Sequence, residues 1–122
     1  MRVACLLFAS SVSSVMAATI YVSPTGSGAK DGKSAASAFA GPAAGIAAAN
    51  PGDSVILAGG TYALNTTVKI TTNGTATAPI NLIAENAYTK RALFDFRTQG
   101  FGSANQGIIL QANWWHLKGI DV

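Results

Sequence analysis

From Ser54 onward the chain repeats one device, a short apolar run followed by a turn. Strand-like runs are centred near Ile56, Lys69, Leu82, Phe94, Ile109 and Leu117. Between them lie Gly59-Gly60, Asn73-Gly74, Glu85-Asn86, Gly100 to Gly107, and Asn113. Val, Ile, Thr and aromatic residues suit a pleated, half-buried surface, whereas Gly and Asn supply the turns. Most steps are about a dozen residues, so every second strand returns after about 25, a period typical of solenoids. The spacing predicts an all-β solenoid whose coils carry two or three short strands. A β-sandwich shows similar spacing, but only two connections here look like tight hairpins.

The segment before Ser54 reads as the start of that solenoid. Thr19-Ile20-Tyr21-Val22-Ser23 is a strand, ended by Pro24. Thr25 to Ser37 holds almost nothing large to bury and reads as a surface loop. Pro42 to Asn50 predicts a short Ala-rich helix with Pro near its start. Such a helix can cap the open end of the first coil, with Ile46 beside Ala43, Ala44, Ala47 and Ala48 as its apolar surface. Asp53, in Pro51-Gly52-Asp53, is expected to be a turn residue and not an acid catalyst. The last run, Trp114 to Val122, presents apolar side chains and a strand edge with no following coil. Residues 18–122 are therefore expected to be the first coils of a β-solenoid domain truncated at its C-terminus.

Residues 1–17 read as a secretory signal. Arg2 gives a positive start, Val3 to Val15 a mostly apolar stretch, and Val15-Met16-Ala17 a cleavage pattern after Ala17. The run is shorter than the ~20 residues of a spanning helix, and no other stretch is long enough to cross a bilayer. A secreted, extracellular protein without membrane contact after cleavage is expected. The only cysteine, Cys5, leaves with the signal, so core packing alone holds the mature chain together. Losing Arg2 takes the formal charge from +3 to +2. The remaining basic residues are scattered, which excludes a nucleic-acid footprint but is compatible with an acidic polymer. Asn65-Thr66-Thr67 and Asn73-Gly74-Thr75 are glycosylation sequons beside turns, with Asn65 and Asn73 the possible acceptors.

Trp114, His116 and Lys118 alternate with Trp115 and Leu117, so on one strand the first three would share a face. An aromatic ring, an imidazole and an ammonium together suit an acidic sugar; the bland alternative is that this face packs on a later segment. His116 has no second ligand at metal-binding spacing. The run Ser27-Gly28-Ala29-Lys30-Asp31-Gly32-Lys33-Ser34 nearly matches a phosphate-binding loop, but Ser27 stands where the first glycine belongs.

Tyr21-Val22-Ser23-Pro24-Thr25-Gly26-Ser27-Gly28, the small helix, Asn50 to Leu57 and Gly59-Gly60-Thr61-Tyr62 resemble the opening of right-handed parallel β-helix proteins. Ala76 to Ala84, Leu93-Phe94-Asp95-Phe96, Gly107 to Leu110 and Trp114-Trp115-His116-Leu117-Lys118-Gly119-Ile120 are similar to secreted pectate lyases of polysaccharide lyase family nine. The resemblance implies a monomeric full-length enzyme that cleaves an acidic plant cell-wall polysaccharide by β-elimination. In that chemistry Ca2+ held by aspartates neutralises the uronate carboxylate, and a lysine removes the C5 proton. The family's aspartate cluster and base lie on coils beyond the part matched here, and Asp95 and Asp121 are well separated. No catalytic role and no bound cofactor is therefore assigned to this chain. A non-catalytic β-helix that binds carbohydrate or a surface partner is the alternative expectation.

Overall fold

The computed structural model describes residues 17–27, 30–100, 102 and 105–122. Its strands are β1 (Thr19–Val22), β2 (Ser54–Leu57), β3 (Gly60–Ala63), β4 (Val68–Ile70), β5 (Ile80–Ala84), β6 (Ala92–Asp95), β7 (Ile108–Leu110), β8 (Trp115–Lys118) and β9 (Ile120–Asp121). The 3-10 turn Ala35–Ser37 and helix α1 (Pro42–Ala48) lie between β1 and β2. The strands form three parallel sheets, ordered β1-β2-β5-β8, β3-β6-β9 and β4-β7. The chain thus winds through all three walls before returning to the first, the topology of a β-helix. No helix among the described residues is long and apolar enough to cross a membrane. The secretory signal expected at residues 1–17 lies outside the described residues except for Ala17.

Register sorts the side chains. In the first sheet Ile20, Val55, Leu82 and Leu117 stand in one column, and Val22, Leu57 and Ala84 in another. Both columns point inward, with Val55, Leu57 and Leu82 fully buried. Val68 and Ile70 from the third wall and Tyr62 and Phe94 from the second close the interior. The Tyr62 and Phe94 rings meet edge to face, centroids 5.7 Å apart. The Tyr62 hydroxyl donates to the Ala58 carbonyl at 2.8 Å, so the one polar group of that ring is satisfied where the ring is buried.

The coil is longer than the sequence spacing suggests. Ser54 pairs with Asn81 and Val68 with Ile108, so a coil takes between 27 and 40 residues and three strands. The strand Gly60–Ala63 is the missing element: Gly59-Gly60 reads as a turn, yet the next wall starts at Gly60 itself. A second such corner falls at Gly119, whose φ of 76° bends the chain from β8 into β9. At the last coil the inward columns end in view of solvent. Leu117 keeps 41% and Leu110 51% of its surface, while Trp115 and Ile120 are half-buried.

Helix α1 packs against β1, β2 and β4 through the expected Ile46, but not through the expected alanines. Ala43, Ala44, Ala47 and Ala48 are exposed; Pro42, Gly45, Ile46 and Ala49 are buried. Seven residues make barely two turns, so only one narrow stripe faces the coil. Gly45 sets the approach distance. A Cβ there would lie 2.5 Å from Val22 Cγ2 and 3.0 Å from Val55 Cγ1, both in rigid, buried β-branched side chains. Gly45→Ala gains up to about 1 kcal/mol of helix propensity but forces an overpacked contact costing typically 1–3 kcal/mol. A net loss of stability in urea unfolding is expected; a stabilised variant would show that the helix does not rest on this contact.

Candidate functional site

The outward columns of the first sheet are the counterpart of the core. Thr19, Ser54, Asn81 and His116 form one, and Tyr21, Ile56, Ile83 and Lys118 the next. Parallel pairing places identical strand positions side by side, about 4.8 Å apart, so the first column is a continuous polar strip. Asn81 Nδ2 donates to Ser54 Oγ at 3.2 Å. Asn81 Oδ1 then faces His116 Nδ1, also at 3.2 Å. An amide oxygen only accepts, so this orientation puts the imidazole proton on Nδ1 and leaves Nε2 as an acceptor. His116 and Lys118 are both exposed on this outward face.

Trp114 is placed differently from His116 and Lys118. The strand starts at Trp115, and Trp114 lies just before it with a left-handed φ of 63°. The alternation of an extended strand does not reach across that residue. Its backbone carbonyl accepts the Ile80 N–H at 2.9 Å, and the residue is more than half exposed. Trp115, the inward neighbour, donates from Nε1 to the Thr72 carbonyl at 2.6 Å.

The other expected positions are held locally. Asn73 Oδ1 accepts the Asn113 N–H at 2.8 Å, tying two turns 40 residues apart. Asn65 is exposed, while the hydroxyl of Thr67 in its sequon accepts from Gln99 Nε2 at 2.9 Å. In the near-match to a phosphate loop, residues 28 and 29 lie outside the described residues; Lys30 donates to the Ala36 carbonyl and Ser34 caps the 3-10 turn.

Every Asp and Glu side chain among the described residues has a partner. Asp121 accepts two hydrogen bonds from Arg91, at 2.8 and 2.6 Å, and these hold its carboxyl below the usual range. Arg97 clamps Asp95 in the same manner and lowers its pKa to about 2. Glu85 lies 3.5 Å from Lys90. Asp31 is lowered chiefly by the Lys33 backbone N–H. Asp53 is 3% exposed and accepts the N–H groups of Ala18 and Asn50. It is a turn residue, as its position after Pro51-Gly52 suggests, and in addition a buried anchor between two coils. Among the described residues no three His, Cys, Asp or Glu side chains could hold one metal ion. This set of carboxylates, separated and engaged, does not fit a calcium centre.

The family model described as "Pel9A-like, right handed beta helix region" matches residues 20–122. The chain belongs to this family. Among similar curated proteins, this Pel9A-like chain is 34% identical over 110 residues to pectate lyase L of Dickeya chrysanthemi and 36% identical over 74 residues to pectate lyase L of Paenibacillus polymyxa (strain SC2). These alignments cover 84% and 59% of this chain but 25% and 16% of the relatives. The crystal structure of pectate lyase Pel9A superposes with a TM-score of 0.72 at 29% identity, over 92% of this chain and 29% of that one. A rhamnogalacturonan lyase gives the same TM-score at 22% identity, which supports the fold alone. This Pel9A-like chain thus spans about a quarter of the length of its relatives.

The sequence gives no signal for Asn81 as the partner of His116, because 35 residues separate them and only the register brings them together. Nitrogen-15 NMR of neutral His116 is expected to show the Nδ1–H tautomer, shifting toward a tautomer mixture in Asn81→Ala. A dominant Nε2–H form in the unsubstituted protein would mean that the amide faces the other way.

Proposed function

We propose that this chain is the opening part of a secreted polysaccharide lyase that acts on pectate-type uronic acid polymers by β-elimination, and that these coils do not themselves carry the reaction. The observation that carries this reading is the family match over residues 20–122, together with pectate lyase relatives about four times as long. β-Elimination needs the uronate carboxylate neutralised and a base at the C5 proton. Ca2+ would supply that neutralisation in the whole enzyme. The Asp and Glu side chains of this chain are committed to arginines, a lysine and backbone N–H groups, so in the whole enzyme other coils would hold the ion.

What these residues offer instead is recognition. His116 and Lys118 on the outward face, with Asn81 and Ser54 continuing the strip, suit an acidic sugar: an ammonium for the carboxylate and an imidazole for hydroxyls. Trp114, exposed at the lip of the same strand, offers a flat apolar surface for a sugar ring. Asn65 is the better glycan acceptor of the two sequons if the protein is made in a glycosylating cell, since Asn73 is already bonded to Asn113.

The chain incubated with polygalacturonate and calcium is expected to release no unsaturated product by absorbance. On immobilised polygalacturonate it should be retained weakly, and His116→Ala with Lys118→Ala should reduce retention about fivefold, near 1 kcal/mol. Unsaturated product above a heat-killed control would relocate the chemistry to this chain. Retention unaffected by the substitutions would remove the strip from recognition.

A further inference from the structure

One buried ionisable group plays no part in the recognition strip. Asp53 lies 3% exposed at the start of β2, and its two carboxylate oxygens accept the N–H of Ala18 at 2.9 Å and of Asn50 at 2.8 Å. None of the ion pairs among the described residues includes it. A buried charge ordinarily has a countercharge. Ala18, by contrast, is the residue that follows the cleavage point read from the sequence.

Hydrolysis of the Ala17–Ala18 bond by a signal peptidase consumes one water. It leaves a carboxylate on Ala17 and a primary amine on Ala18, which takes up a proton at neutral pH. We propose that this processing converts the Ala18–Asp53 hydrogen bond into an ion pair, so that removal of the leader itself fastens the first coil to the second. The pair would sit where β1 joins the sheet, since the Ala18 carbonyl also accepts the Ser54 N–H at 3.0 Å. Beside it opens a cavity of about 810 Å³ lined by Ala17, Asn50, Pro51, Gly52, Thr75 and neighbours, none of them a titratable side chain that could compete for the freed amine. The uncleaved chain has only a neutral amide at this position.

The inference rests on cleavage after Ala17, so the first arm is N-terminal sequencing of the exported protein; Ala18 as first residue is expected, and any other start overturns the proposal. For the second arm, chains that begin at Ala18, or at one glycine placed before it, are released from a cleavable fusion. The extension moves the charge one residue away, about 3.8 Å along the chain, and restores the neutral amide. At pH 7 the Ala18-initiated chain should melt about 5 °C higher. An α-amine gaining an anionic partner has its folded pKa raised above the ordinary value near 8. The advantage is therefore complete at neutral pH, where both partners are charged, and narrows as pH rises beyond about 8. Asp53→Asn should abolish the difference between the two chains. Equal melting at pH 7, or a difference that does not narrow at high pH, would overturn the ion pair even with the cleavage site correct.

Discussion

Everything in this structure hangs on parallel register. The stacking of Ile20, Val55, Leu82 and Leu117 in one inward column builds the core, and the same pairing places Thr19, Ser54, Asn81 and His116 outside. A slip of one residue would exchange the two columns, burying a strip of hydroxyl, amide and imidazole groups in an apolar interior. The core thereby enforces the geometry of the outer face. The hydrogen-bonded chain from Ser54 through Asn81 to His116 is a consequence of burying leucine and valine on the opposite side.

The ends of a solenoid are where this logic fails, and the first end shows how the sequence answers it. Column residues Val22 and Val55 would face solvent without α1, and Gly45 lets the helix backbone settle onto them. Asp53 works on the same end by polar means, linking the residue before β1 to the turn before β2. Hydrophobic closure and a buried carboxylate act within one coil, so the first coil is fixed on both its apolar and its polar sides.

Much of the architecture was readable from local chemistry. The alternation in Ser54–Leu57 and Ile80–Ala84, the Pro at the start of α1 and the turn at Pro51-Gly52-Asp53 all follow from residue preferences that act over a few positions. The choice of three strands per coil over two was not readable, because Gly60–Ala63 offers only Tyr62 to the core and looks like the tail of a turn. Ile46 was legible as the large apolar residue of α1, but its buried companions Pro42 and Gly45 were not, since a two-turn helix of small residues has almost no pattern to read. At the candidate site the exposure of His116 and Lys118 followed from strand alternation. The positive φ at Trp114 and the partnership with Asn81 did not, the first being a property of the turn and the second of a contact 35 residues distant.

The family match and the packing lead to one picture: a winding wall whose inside is set by aliphatic columns and whose outside is free to carry recognition. Its most direct test is the register itself. Thr61 and Leu93 are outward partners on β3 and β6, whereas Tyr62 and Phe94 beside them point into the core. With Cys5 replaced by serine, cysteines at 61 and 93 should be joined rapidly by a bifunctional thiol reagent spanning about 5 Å, the distance between neighbouring strands. Cysteines at 61 and 94 should not be. Efficient joining of the second pair, or of neither, would contradict the parallel register on which the account stands.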